Sequence, residues 1–175
     1  DEKEKVKEDL DRILEEHRRE VEDVERKHRK ILKDHEEVVR RVREEHEKIL
    51  KRLKDNGVDR RLLEELRRNI ERLEKEARDD HRRLKENIER MRREIEKDHE
   101  DLKREVDKIA RRAREDTDDA KKLEDLVRRL KEHVDRSRER LEKHLRENKR
   151  HVEESAKRLE KHVRDNEEDV KRKST

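Results

Sequence analysis

Ten histidines are the residues of this sequence best suited to chemistry, because histidine alone has an unperturbed pKa that changes its charge between pH 5 and 8. In the first third of the chain they are spaced by 11, 7 and 11 positions, and the same spacing recurs in the last third. On a helix at 100° per residue, those of the first third lie at the centre of the apolar stripe. The spacing therefore predicts buried imidazoles. The ten are His17, His28, His35, His46, His81, His99, His133, His144, His151 and His162.

The residue numbers of these histidines predict four polar layers across three helices. On parallel helices, residues at one height differ by a constant, and each histidine of the last third lies 116 positions after one of the first third. On antiparallel helices the two numbers have a constant sum, and His81, His99, Asn69 and Asn87 satisfy that condition to within one position. The predicted layers are His17/His99/His133, His28/Asn87/His144, His35/His81/His151 and His46/Asn69/His162.

Two polar edges flank these layers. We predict that the two edges face each other, because the numbers of each edge residue of the middle third and its histidine of the last third sum to 231. His133 should then approach Asp98, and His151 should approach Asp80. Such partners matter, since burying a polar group without a hydrogen bond costs several kcal/mol. The edge of the middle third is Asn69, Asp80, Asn87 and Asp98, and that of the last third is Ser137, Asn148, Ser155 and Asn166.

The composition limits the elements that can position these residues. Charged residues make up 63% of the 175 residues, aromatic residues 0%, and there is no Pro or Cys and one Gly. Cysteine-based disulfides and thiolate metal sites are therefore excluded. No apolar run approaches the roughly 20 residues of a membrane span, and the aromatic and β-branched runs of strands are missing. The net charge of +3, with both signs interleaved, disfavours both disorder and nucleic-acid binding.

Two turn signals divide the chain into three helices within a single domain, residues 1–175. At residues 55–59, Gly57 suits the left-handed conformation that ends a helix, and Asp59 suits the next N-cap. Val58 and Leu63 have the spacing of a hydrophobic staple. At residues 116–119, Asp116 or Thr117 can cap the third helix. The predicted helices are residues 2–55, 60–115 and 118–172.

An 18-residue repeat predicts how these helices pack. Eighteen residues are five turns of an α-helix, so the apolar stripe runs straight and needs no supercoil. Short connections make successive helices antiparallel. The predicted fold class is therefore all-α, a long untwisted up-down-up three-helix bundle. The repeat joins Ile13, Ile31 and Ile49 in the first helix, Leu66, Leu84 and Leu102 in the second, and Leu123, Leu141 and Leu159 in the third.

Three functions fit histidines in the core. Polar layers can serve only to fix register, but Asn or Ser would do so without titrating, so a pH-sensing network is the main hypothesis. The alternative is a zinc site made by His17, His99 and His133 or by His35, His81 and His151. No HExxH motif supports it. Catalysis has little support, because Ser137 and Ser155, each four residues after a histidine, fit a network hydrogen bond better than an active site. We expect no enzyme, no catalytic residue and no cofactor.

The capped helices, the 18-residue repeat, the charged outer faces and the Leu/Ile/Val core together resemble computationally designed parametric helical bundles. The histidine layers are similar to designed networks that make oligomers come apart on acidification. This resemblance implies a synthetic, soluble, non-enzymatic structural protein with pH-dependent stability or assembly, found in the cytoplasm of an expression host. Nucleic acid, membrane and small-molecule substrates are not expected as partners. A monomer is favoured because the layers close within one chain, with a designed homo-oligomer or filament as the alternative.

Overall fold

The fold is an all-α three-helix bundle, as predicted. The computed structural model describes residues 2–57, 59–115 and 120–174. Helix α1 spans Glu2–Asp55, α2 spans Arg60–Arg114 and α3 spans Ala120–Lys173. These bounds differ from the predicted ones by at most two residues. Within the described ranges, no helix carries an apolar stretch that could cross a membrane.

The turn between α1 and α2 has the predicted chemistry. Gly57 takes a left-handed φ of 62°, and its N–H donates to the carbonyl of Lys54 at 3.3 Å. Asp59 caps α2, since its Oδ1 accepts a hydrogen bond from the N–H of Arg61 at 3.3 Å. Leu63 packs against the apolar core, but its proposed staple partner Val58 lies outside the described residues. The predicted caps Asp116 and Thr117 also lie outside them.

The described chain divides into two compact units, each with a segment of all three helices. The first comprises Asp1–His28 and Ile88–Glu147, and the second comprises Arg29–Asn87 and Asn148–Thr175. Within each unit, contacts join α1 to α2 in antiparallel order and α1 to α3 in parallel order. Each unit is therefore an up-down-up arrangement of three helical segments.

Each unit has its own apolar core, built from the residues of the 18-residue repeat. In the first unit, Leu10, Leu102 and Leu130 are each only 1% exposed. In the second, Ile49 and Leu159 lie within a larger cluster of buried aliphatic side chains. Burying such a side chain contributes about 1.5–3 kcal/mol. The packing of the two apolar cores therefore keeps in place the polar side chains that lie on the same helical stripes.

We expect Gly57→Ala to lower the free energy of unfolding by about 1–2 kcal/mol, because a Cβ atom is strained at positive φ. The cause would be strain and not crowding, since an added Cβ would meet nothing within 4 Å. Urea denaturation followed by circular dichroism measures the difference. Gly57→Asn is the control, because asparagine tolerates the left-handed region better. Equal stability of the alanine variant and the parent would contradict the proposed role of Gly57.

Candidate functional site

The four histidines of α1 are buried, as their position on the apolar stripe predicted. His17, His35 and His46 are each 1% exposed, and His28 is 4% exposed. They occupy the face of α1 that also carries Leu10, and most of that face is aliphatic. A buried neutral imidazole has one N–H donor and one nitrogen acceptor, and both need partners. For His17 and His35 those partners come from α2 and α3.

The first network, defined as His99, His17, Ser137 and Asp98, is a continuous hydrogen-bonded chain in the first unit. The Nδ1 atoms of His17 and His99 are 2.8 Å apart, and Nε2 of His17 is 3.1 Å from Oγ of Ser137. The hydroxyl of Ser137 donates to Oδ2 of Asp98 at 2.5 Å. Nε2 of His133 then lies 3.1 Å from Oδ1 of Asp98, which confirms the predicted pairing of His133 with Asp98.

The second network, defined as His81, His35, Ser155 and Asp80, has the same connectivity in the second unit. The Nδ1 atoms of His35 and His81 are 2.9 Å apart, and Nε2 of His35 is 3.0 Å from Oγ of Ser155. The hydroxyl of Ser155 donates to Oδ2 of Asp80 at 2.7 Å. Arg158 donates to the same carboxylate oxygen. The chain therefore contains two copies of one polar arrangement, each enclosed by its own unit.

In each network the two imidazoles meet edge to edge. The ring centroids of His17 and His99 are 5.1 Å apart with an interplanar angle of 5°, and those of His35 and His81 are 5.1 Å apart at 7°. Each separation matches the Nδ1–Nδ1 distance plus the two ring radii, so the rings are nearly coplanar and their faces do not stack. The lone pair of one Nδ1 atom consequently points at the other Nδ1 atom. This is hydrogen-bond geometry.

The prediction that His133 and His151 complete layers with the α1 histidines is wrong. The α3 residues that bond to the α1 histidines lie 120 positions further along the chain, where 116 was predicted. They are the small polar residues four positions after each α3 histidine. Four residues make one turn plus about 40°. That rotation moves Ser137 and Ser155 toward the centre of the α3 stripe and leaves the α3 histidines on its outer edge.

The predicted pairing of His151 with Asp80 is also wrong. His151 is exposed, and Asp80 is bonded to Ser155 and Arg158 instead. In the first unit, by contrast, Nδ1 of His133 lies 3.2 Å from Oε2 of Glu105, so the ring of His133 contacts two carboxylates. The residue 18 positions before Glu105 is Asn87, so the second carboxylate is replaced by an amide in the second unit.

The remaining two predicted layers contain His28 in the first unit and His46 in the second. In the first unit, His28 is buried and His144 is half-buried, with Nε2 of His144 3.7 Å from Glu94. Asn87 belongs to the second unit and is half-buried.

In the second unit, Nε2 of His46 lies 3.3 Å from the amide nitrogen of Asn166. Nδ1 of His46 has no hydrogen-bond partner among the described residues. Asn69 is half-buried. His162 is exposed and Asn166 meets His46 instead, so the predicted layer of His46 with His162 is wrong. Asn148 is fully buried on α3.

Burial determines the electrostatics of the core histidines. Burial, with a smaller contribution from the charge of His144, lowers the pKa of His28 to about 4. Burial is also the largest cause of the lowered pKa of His17, His35 and His46. In each case desolvation disfavours the charged imidazolium.

The half-buried histidines of α2 show the same effect. Burial is the largest cause of the lowered pKa of both His81 and His99, and a lysine one turn along α2 lowers each pKa further. Asp98 behaves differently. Burial raises the pKa of its carboxyl, but hydrogen bonds from Ser137 and His133, with the charge of Arg140, lower that pKa overall. Asp98 is therefore held as a carboxylate.

Sequence reasoning missed four side chains that contact the predicted residues. Two are arginines that bond to the network carboxylates, and two are glutamates beside α3 histidines. The arginines are 18 positions apart, so the repeat itself carried a signal for them. Glu94 lies four residues before Asp98 on α2 and Glu105 lies seven residues after it, positions that the index sums did not include. The four are Arg140, Arg158, Glu94 and Glu105.

The alternative zinc sites are not assembled as predicted. His133 is separated from His17 by Ser137 and Asp98, and His151 is exposed, with Ser155 bonded to His35 in its place. Within residues 2–57, 59–115 and 120–174, no group of three or more His, Asp or Glu side chains has metal-binding geometry. Comparison of the chain with protein families, with curated proteins and with solved structures gave no match.

We expect Ser137→Ala and Ser155→Ala each to lower the free energy of unfolding by about 1–3 kcal/mol at pH 7.5. Each change leaves a buried imidazole nitrogen without its partner, and the cost of an unsatisfied buried group is of that size. Urea denaturation measures it. Ser174→Ala, at an exposed serine, is the matched control and should have no measurable effect. Equal stability of all three variants would show that the serines do not satisfy the networks.

Proposed function

We propose that this chain is a structural, non-enzymatic helical bundle whose buried histidines make its folded state dependent on pH. The observation that carries the proposal is the burial of four imidazoles on α1, each 1–4% exposed. Register alone does not require a titrating group, because Asn148 is fully buried on α3 and shows that an amide fits such a position. The choice of histidine in the core therefore supports a role for protonation.

The direction of the pH dependence follows from the lowered pKa values. Below an unfolded pKa of about 6.5, the unfolded chain binds protons that the folded chain excludes. The contribution of the buried histidines to the free energy of unfolding is therefore complete above that pH. It falls as the pH drops toward the folded pKa, which is about 4 for His28. Glutamate and aspartate titrate mainly near and below about pH 4. Losses between pH 6.5 and 4.5 consequently belong to the histidines.

The size of the effect is sufficient for a switch. For His28, the difference between 6.5 and about 4 corresponds to about 3 kcal/mol. Single domains typically have unfolding free energies of about 5–15 kcal/mol. A few buried histidines acting together would therefore remove most of the stability of a bundle of ordinary stability.

Two features of Ser137 and Ser155 support a structural role over an enzymatic one. Ser137 and Ser155 are both 4% exposed, and their hydroxyl protons are donated to carboxylates. A catalytic serine instead donates to a general base beside an accessible pocket. The two equivalent networks and the 18-residue repeat support the further proposal that the chain was designed.

We expect His28→Asn to reduce the acid sensitivity of the protein. Between pH 7.5 and 4.5 the parent should lose about 2–3 kcal/mol more unfolding free energy than the variant, because the variant lacks one buried titrating group. Urea denaturation at a series of pH values, followed by circular dichroism, gives this difference. The measured quantity is the change with pH, so a different stability of the variant at pH 7.5 does not affect the result.

The control is His162→Asn, because His162 is exposed and its replacement should leave the pH dependence unchanged. If the parent, His28→Asn and His162→Asn lost the same stability in acid, the buried histidines would not be the sensors. Melting at pH 7.5 with EDTA and with Zn²⁺ tests the competing zinc-scaffold hypothesis. A rise in Tm with zinc that is lost in the His17→Asn variant would favour that hypothesis.

We further propose that the chain is monomeric. In the part of the chain that the structure describes, no large hydrophobic side chain is exposed. Stable homo-oligomer interfaces usually contain an apolar centre. Light scattering at pH 7.5 should therefore give the mass of one chain, 21.9 kDa. A mass of two or more chains at micromolar concentration would favour the designed oligomer or filament.

A further inference from the structure

Proton positions in the two networks follow from the carboxylate at one end. An ionised carboxylate only accepts hydrogen bonds, and a serine hydroxyl has one proton to give. Because Ser137 donates that proton to Asp98, its oxygen must accept from Nε2 of His17. A neutral imidazole has a single N–H. Nδ1 of His17 is therefore the acceptor, and Nδ1–H of His99 donates to it.

The second network gives the same assignment from independent contacts. Ser155 donates to Asp80, so Nε2–H of His35 donates to Ser155. Nδ1 of His35 then accepts from Nδ1–H of His81. In both networks the buried histidine is the Nε2–H tautomer, and the half-buried histidine is the Nδ1–H tautomer. The lone pair of the outer ring is left on Nε2.

We infer that His99 and His81 are the sites that bind the first proton of each network. Asp98 and Asp80 hold these two rings as Nδ1–H tautomers, through the intervening serine and buried histidine. A proton from solvent bonds to the lone pair on Nε2 of His99. The ring becomes an imidazolium, its Nδ1–H continues to donate to Nδ1 of His17, and no hydrogen bond is broken. His81 takes up a proton in the same way.

The second proton has a different consequence. The lone pair on Nδ1 of His17 is the remaining basic position of that ring pair, and it already accepts from His99. A proton there would set two N–H groups and two positive rings against each other across a gap of 2.8 Å. The Nδ1–Nδ1 contact would then have to open. Protonation of the inner histidine therefore disrupts the network, whereas protonation of the outer one does not.

The exposure of the two rings agrees with this order. The side chain of His81 is 18% exposed, whereas His17 and His35 are 1% exposed. The charge of His99 lowers the pKa of His17, and the charge of His81 lowers that of His35.

The charged groups that face these rings come from all three helices. Around the first network they are Glu20 on α1, Asp98, Glu100 and Lys103 on α2, and His133 on α3. Around the second they are Glu36 on α1, Asp80 and Lys85 on α2, and Arg158 on α3.

The glutamates beside the two outer histidines come from different helices, Glu36 on α1 for His81 and Glu100 on α2 for His99. Nε2 of His81 lies 3.7 Å from Oε1 of Glu36, so an incoming proton finds a carboxylate beside it. The residue 18 positions before Glu36 is Arg18, which carries the opposite charge. A nearby carboxylate favours the imidazolium, so Glu36 favours proton uptake by His81 as Glu100 favours it by His99.

The order of proton uptake in acid deepens the proposed function and rests on it. The tautomers, however, can be tested at pH 7.5, where the bundle is folded. In ¹⁵N-labelled protein, two-bond ¹H–¹⁵N couplings distinguish the two neutral forms of each ring. We expect Nε2–H for His17 and His35, and Nδ1–H for His99 and His81, the less common form of a free imidazole. Observation of Nε2–H on His99 and His81 would overturn the inference.

Asp98→Asn tests the cause, because an amide can donate as well as accept and no longer fixes the direction of the chain. We expect His17 and His99 to become tautomer mixtures, while His35 and His81 remain unchanged as an internal control. Ser137→Ala, which removes the link to the carboxylate, should do the same if the asparagine variant folds poorly. Unchanged tautomers in either folded variant would show that the carboxylate does not set them.

A titration from pH 7.5 to 4.5, followed on the ring Cε1–H signals, tests the order of uptake. We expect His81 and His99 to shift while the amide spectrum remains that of the folded state, and His17 and His35 to shift only as that spectrum is lost. Glu36→Gln should move the midpoint of His81 to lower pH and leave that of His99 in place. Simultaneous titration of inner and outer rings would overturn the order.

Equal acid stability of parent and His28→Asn would overturn the proposed function and leave the tautomer result standing.

Discussion

A buried neutral imidazole needs a hydrogen-bond acceptor for its N–H and a donor for its other nitrogen, and the rest of the polar core depends on this requirement. Aliphatic neighbours on α1 cannot supply either group. For His17 and His35 both partners come from other helices, a histidine on α2 and a serine on α3. These bonds fix how α2 and α3 lie against α1 within each unit, because a shift of one turn would leave a buried nitrogen unpaired.

The aspartates extend this requirement to the edge of each unit. A serine hydroxyl can satisfy a histidine N–H and still has a proton to place, and a carboxylate is the acceptor that receives it. Asp98 and Asp80 are only partly buried, with side-chain exposures of 21% and 14%, so water and an arginine can also solvate their charge. A fully buried carboxylate would carry a much larger desolvation cost. Each network therefore runs from a half-buried imidazole to a half-buried carboxylate, with its most buried members between them.

The two networks are equivalent in connectivity but not in surroundings. His133 lies between Asp98 and Glu105, whereas the equivalent His151 is exposed and Asn87 takes the position of Glu105. Exposed ion pairs contribute little to stability, about 0–1 kcal/mol. The difference therefore acts mainly on the local charge around each aspartate and little on the fold. It gives one chain two versions of the same network in different electrostatic environments.

The sequence by itself determined the fold class, the helix bounds and the burial of the α1 histidines. Each depends on local chemistry or on helical periodicity: Gly57 and Asp59 mark the turn, and the 18-residue repeat places Ile13, Ile31 and Ile49 on one face. The pairing of His133 with Asp98 also followed, because index sums on antiparallel helices report height. Only the tertiary structure decided which α3 residue meets each α1 histidine. His133 and Ser137 share a face of α3 one turn apart, and index arithmetic cannot separate them. The rotation of α3 about its axis brought the serine inward and left His151 at the surface, because that rotation depends on packing between helices that are distant in sequence.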